Sequence, residues 1–184
     1  MSCGELISPH FKLKIMGRFS IENFNVEDSK IVIDGQYRFT IITDRIIRIE
    51  KSLTSFFEDK QTQAVLCRNF ANPDFKFEKE HNKVLIRTKY TFLEYDIVKD
   101  KPYIICGDKK IDASRNRGNL KGTLRTLDFT AGPVPLNNGV FAKNGVVMLD
   151  DSNSCVIDEE GNVKRRDVEE NDIYILNFGN DYFG

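Results

Sequence analysis

The sequence predicts an all-β, antiparallel sandwich with few or no helices, on three observations. Apolar and polar residues alternate with period two through several short runs rich in β-branched and aromatic types. Those runs are separated at short intervals by turn residues: Gly, Asn, Asp and Pro. Only one stretch, Ser52 to Leu66, offers a modest helical stripe, through Phe56, Phe57 and Ala64.

Taken in order, Gln36-Tyr37-Arg38-Phe39-Thr40-Ile41 and Ile47-Arg48-Ile49-Glu50 read as half-buried strands. Phe75-Lys76-Phe77-Glu78 repeats the pattern, and the turn Glu80-His81-Asn82-Lys83 leads into one long strand, Val84 to Phe92, making a hairpin. A further turn at Lys99-Asp100-Lys101-Pro102 separates Tyr95-Asp96-Ile97-Val98 from Tyr103-Ile104-Ile105-Cys106. The second half continues with Gly145 to Leu149, a turn at Asp150 to Asn153, the strand Cys155-Val156-Ile157, a tight turn at Glu159 to Asn162, and a final strand, Asp172 to Leu176. There is neither an internal repeat nor a low-complexity linker.

Length and composition bound the function. The 184 residues, 40% of them hydrophobic, suit one domain with its own core, residues 1–184, without metal or disulfide staples. With 27 basic and 28 acidic side chains the net charge is −1, so no overall field draws in nucleic acid or an anionic membrane. The four cysteines, Cys3, Cys67, Cys106 and Cys155, are far apart and read as reduced, buried or half-buried small hydrophobes. Neither Cys-x-x-Cys pairs nor matching histidines are present for zinc, and no cofactor motif occurs, so no metal and no cofactor is expected. The N-terminus breaks any apolar leader with Glu5, His10, Lys12 and Lys14, and no run approaches the roughly 18 apolar residues of a spanning helix, so the expectation is a cytoplasmic protein. Aromatics continue to the last residues, Phe178 to Gly184, which suggests the front part of something larger.

The most informative stretch is Asn119-Leu120-Lys121-Gly122-Thr123-Leu124-Arg125-Thr126-Leu127-Asp128. With Leu136-Asn137-Asn138-Gly139, then Gly145 to Asp150-Asp151-Ser152, and the closing Phe178-Gly179-Asn180-Asp181-Tyr182, it resembles the N-terminal domain of glycoside hydrolase family 31, the α-glucosidases and α-xylosidases. The resemblance lies in the last third of the chain; the first two thirds fit by strand pattern alone. Lys121 stands where that family commonly has a second glycine, Ala142-Lys143-Asn144 where Ser-Arg-Asp is usual, and Val146 where tryptophan is frequent.

The resemblance implies a galactose-mutarotase-like sandwich in front of a (β/α)8 catalytic barrel of the same polypeptide, acting on α-linked oligosaccharides with retention. Retention requires two carboxylates about 5 Å apart. Neither family catalytic motif is in this chain, and a barrel needs on the order of 250 residues. The chain by itself is therefore expected to be inactive. The resemblance also implies a loop over the barrel mouth, with Asp128 accepting hydrogen bonds from sugar hydroxyls and Arg125 and Thr126 beside it. Read from the residues alone, Asp128 equally caps a turn or pairs with Arg125, while Arg125, Thr123 and Thr126 read first as anchors of the loop. Asp150-Asp151-Ser152 reads as an Asx-type turn. His81 reads as a solvated turn residue, which disfavours mutarotase chemistry, and Lys109, Lys110, Arg115, Arg117, Lys121 and Arg125 as a solvated face or a domain interface. The rival reading is a stand-alone carbohydrate-binding or interaction sandwich; the absence of tryptophan counts against the first, and the second leaves Asn119 to Asp128 without an explanation.

Overall fold

The computed structural model describes residues 26–70, 73–122, 131–167 and 171–181. Within them the chain is all-β and antiparallel, in a sandwich-like arrangement of two five-stranded sheets. The first sheet contains β1 (Ile31–Asp34), β2 (Tyr37–Thr43), β3 (Ile46–Lys51), β9 (Val146–Asp150) and β12 (Asn171–Asn177), in the order β1-β2-β3-β12-β9. The second is a meander of β4 (Lys76–Glu80), β5 (Lys83–Arg87), β6 (Phe92–Asp96), β7 (Lys101–Cys106) and β8 (Lys109–Asp112), in sequence order. A small hairpin, β10 (Val156–Ile157) with β11 (Val163–Lys164), closes at the expected turn, where Asp158 Oδ1 accepts from the backbone N–H groups of Glu160 and Asn162.

The core lies between the sheets. Phe39, Ile41, Ile47, Ile49 and Ile175 from one meet Val84, Ile86, Leu93 and Ile104 from the other, all at most 1% exposed. Tyr95 crosses the gap, its ring 5.4 Å from Tyr37 and 5.6 Å from Phe39 in edge-on contacts.

Four sequence expectations change. The run Val84 to Phe92 is two strands, because Thr88 and Thr91 turn the chain back: the Thr91 N–H donates to Thr88 Oγ1, and both hydroxyls donate to the Asp44 carbonyl. The following turn sits earlier than Lys99–Pro102, so that Lys101 and Pro102 belong to β7, Pro102 opposite Tyr95. Ser52 to Leu66 contains no helix; Phe56 and Ala64 are exposed, and the backbone there bonds outward instead, Gln61 O accepting from Ile157 and Cys155 O accepting from Gln63. Such tertiary bonds override a weak local stripe. Finally, Cys67 and Cys106 are exposed and Cys155 half-buried, all three unbridged, because they stand in loops or at the end of a strand beyond the core. Cys3 is outside the described residues.

Sequence reading also misses β1, β8 and β11, whose side chains are mostly exposed or half-buried and carry little alternation. Among the described residues no helix is long and apolar enough to cross a membrane.

Candidate functional site

The segments that carry the family resemblance meet at one end of the sandwich, beside the edge strand β9. After β8 a short 3-10 turn, Ala113–Arg115, ends on Asn116 in a left-handed conformation, which aims its amide at β9. Asn116 Nδ2 donates to the Met148 carbonyl and its Oδ1 accepts from the Met148 N–H, so one side chain satisfies the exposed edge as a neighbouring strand would. Asn119 then ties the two halves of the motif together. Its Oδ1 accepts from the backbone N–H groups of Lys121 and Gly139, both at 2.8 Å, and its Nδ2 donates to the Gly139 carbonyl at 2.8 Å. Backbone bonds from Leu120 to Phe141, from Gly122 to Asn137 and from Lys143 to Gly118 complete the clasp. Gly139 sits close here, since a Cβ would lie 3.0 Å from the Lys121 carbonyl group and that backbone would have to give by a few tenths of an ångström.

The closing motif joins the same clasp. Gly145 has φ +70 and its Cα packs directly on Gly179, while the Phe178 N–H donates to the Gly145 carbonyl at 2.9 Å. Arg45, from the β2–β3 turn, holds the other side: it donates to the Phe178 carbonyl, pairs with Asp181 at 3.0 Å and lies over the Tyr90 ring. Leu120, Leu136, Val140 and Phe141 stand on the clasp with about half their surface exposed (46–51%), large apolar side chains on a loop surface.

The sequence-predicted sugar contacts Asp128, Arg125 and Thr126, with Thr123, lie outside the described residues, between the clasp's two halves in sequence. Lys109, Lys110, Arg115, Arg117 and Lys121 are exposed. Lys121 has φ +62 at the position where the resembling family has glycine, and its Nζ donates to Asn138 Oδ1. A left-handed lysine costs about 1 kcal/mol. Replacing it should recover part of this: Lys121→Gly is expected to raise stability by about 0.5 kcal/mol in urea denaturation, the gain being reduced by glycine's greater freedom when unfolded. A fall of similar size would contradict the left-handed assignment.

Asp150 Oδ1 accepts from the Ser152 N–H and hydroxyl, the expected Asx turn. Asp151, however, is wholly buried and belongs to a second constellation that the sequence did not disclose. On the face of β2, β3 and β12 opposite the core, Arg38, Arg48, Glu50, Asp172 and Tyr174 are all buried, so these strands are covered on both faces rather than half-buried. Residues 52–70 and 151–166 supply the cover. Arg38 grips Glu50 with two bonds of 2.6 and 2.7 Å. Arg48 grips Asp172 at 2.8 and 2.7 Å and reaches Glu50 at 3.1 Å. Arg166 also donates to Asp172, at 3.0 and 3.1 Å, and Asp151 Oδ2 accepts from the Thr62 hydroxyl at 2.8 Å. Burial alone would raise the Asp172 carboxyl, but the hydrogen bonds and charge of Arg48, with Arg166, hold it below its ordinary value. Period-two alternation marks these residues as facing away from the core, and nothing in residues 52–70 signals that they cover that face.

Among the described residues, no three His, Cys, Asp or Glu side chains gather as a metal site. Comparison with protein-family models gives no match, and no curated protein matches the chain.

Proposed function

We propose that the chain is the N-terminal β-sandwich of a retaining α-glycosidase of the family 31 type, packing on the catalytic barrel and presenting a loop near the substrate. One observation supports this most: pieces of the resemblance distant in sequence, at 119–122, 137–139, 145 and 178–181, converge on a single hydrogen-bonded clasp. Such a clasp fixes the two ends of the intervening segment that carries Arg125, Thr126 and Asp128. The exposed Leu120, Leu136, Val140 and Phe141 alongside give it an apolar surface suited to a neighbouring domain. On this reading the chain provides support and partial specificity, and the catalytic carboxylates belong to the barrel.

The test is Asp128→Ala in the full-length enzyme, assayed on an α-linked disaccharide and an aryl α-glycoside. A hydrogen bond between a carboxylate and a sugar hydroxyl is worth about 1.5–3 kcal/mol, so kcat/KM should fall about 10- to 100-fold on the disaccharide. Unchanged kinetics on both substrates would remove Asp128 from the sugar site.

A further inference from the structure

The covered face of the first sheet contains a cavity of about 610 Å³, within the range of small-molecule sites. Its walls include Arg38, Thr40, Arg48, Asp59 and Arg68, with Ile31 from β1. The arginines differ in how their charge is met. Arg38 and Arg48 are ion-paired with Glu50 and Asp172, whereas Arg68, 2% exposed, hydrogen-bonds neutral oxygens and meets the Asp172 charge only through space. Its Nε donates to the Tyr174 hydroxyl at 2.7 Å, and its Nη1 donates to the carbonyls of Lys60 and Asp59 at 2.9 and 3.3 Å. Its Nη2 is buried and has no hydrogen-bond partner among the described residues. Burial pushes the Tyr174 hydroxyl up to about 12, so the phenol cannot serve as a counter-anion.

A buried guanidinium cannot shed its proton, and a charge taken out of water without a counter-ion is costly. The nearest acids are committed: Asp172 to Arg48 and Arg166, Glu50 to Arg38 and Arg48. We propose that this cavity binds a small oxyanion, the phosphate or carboxylate group of a small molecule, against Arg68 with Arg38 at its side. Both groups offer more than one oxygen, so that one can meet Arg68 Nη2 and another the Arg38 Nη1 that Asp59 now occupies, both arginines lining the same cavity. Asp59 already shows the chemistry this wall accepts: its carboxylate, 72% exposed, sits on Arg38 Nη1 at 2.6 Å. An incoming anion competes with it for that nitrogen. Asp28 and Asp59 beside the arginines interrupt the positive surface, which favours a single anionic group over a nucleic-acid backbone. The inference rests on residues of the first sheet and its cover, independently of the glycosidase reading.

The experiment is a calorimetric titration of the 184-residue chain with inorganic phosphate, and separately with acetate, at ionic strength held constant with chloride. Saturable binding of at least one of the two is expected. Arg68→Lys, which keeps the charge but loses the Nη2 donor, should weaken it about tenfold, and Asp59→Asn, an exposed change that leaves Arg38 without its competitor, should tighten it about threefold. The response to acetate distinguishes a carboxylate site from one that requires phosphate. Absence of saturation with both anions, or affinities unchanged in both variants, would overturn the proposal. Should Arg68→Lys fail to fold, the wild-type titration and Asp59→Asn still decide it.

Discussion

Asp172→Ala is expected to destabilise the chain by about 3–5 kcal/mol, the cost of leaving buried cations without their anion. The Asp172 carboxylate is fully buried and accepts four hydrogen bonds, two from Arg48 and two from Arg166. Removing it takes four charge-assisted hydrogen bonds from Arg48 and Arg166, which keep the longer contacts with Glu50 at 3.1 Å and Asp151 at 3.7 Å, and neither guanidinium can deprotonate. For a chain of this size the thermal midpoint should fall by about 10 °C. A loss below about 1 kcal/mol would mean that the cluster is wet and loosely held. The paired replacement Arg48→Met with Asp172→Leu should cost less than Asp172→Ala alone, because a matched apolar pair leaves fewer stranded charges.

The same residue gives a pH dependence. The folded-state carboxyl of Asp172 is held below its ordinary 3.8, so the unfolded chain binds that proton more tightly than the folded one. Its contribution is complete above the ordinary carboxylate range and is lost as pH falls below about 4. Denaturant midpoints measured from pH 7 to pH 3 should drop steeply at the acid end, and Asp172→Asn should flatten that drop while lowering the plateau. An identical slope in the variant would assign the acid sensitivity to other carboxylates.

Gly145→Ala is the second large effect, expected to cost about 3 kcal/mol or more. A Cβ there would stand 2.0 Å from the Gly179 carbonyl oxygen and 2.4 Å from its Cα and N, all backbone atoms. The φ of +70 adds about 1 kcal/mol of strain for any L side chain. Since no rotamer relieves a backbone clash, the 178–181 segment must separate from Gly145, releasing Asp181 from Arg45 and opening the clasp. Proteolysis should then cut near residues 139–145 or 178–181 faster than in the wild type. Stability and cleavage pattern both unchanged would show that Gly145 and Gly179 do not pack.

How much of this is legible in the sequence depends on what alternation encodes. Period two correctly marks Phe39, Ile41, Ile47 and Ile49 as core, because the polar Arg38, Thr40, Arg48 and Glu50 alternate with them. It assigns Arg38, Arg48, Glu50 and Asp172 to the other face and stops there, since a polar residue facing water and one paired under a covering loop look alike. The cover itself, residues 52–70, has no period because side chains rather than a strand ladder bind its backbone: the Glu58 carbonyl accepts from Arg38 and Arg48 of the sheet, and those of Asp59 and Lys60 from Arg68 within the cover. The turn at Thr88–Thr91 is hidden for a related reason, threonine being as common in strands as in side-chain-capped turns. At the clasp, the sequence supplies the motif and its order. That Asn119 reaches Gly139, and that Gly145 lies on Gly179, are long-range contacts that no local pattern announces.

The central claim is that this sandwich belongs to a retaining α-glycosidase. Its most direct test is to express the complete polypeptide that contains residues 1–184, supply an aryl α-glucoside or α-xyloside, and follow the first-formed sugar by proton NMR. The account predicts release of the α-anomer before mutarotation, with the 184-residue chain alone releasing none. Release of the β-anomer, or no α-glycoside cleavage by the complete polypeptide, would contradict it.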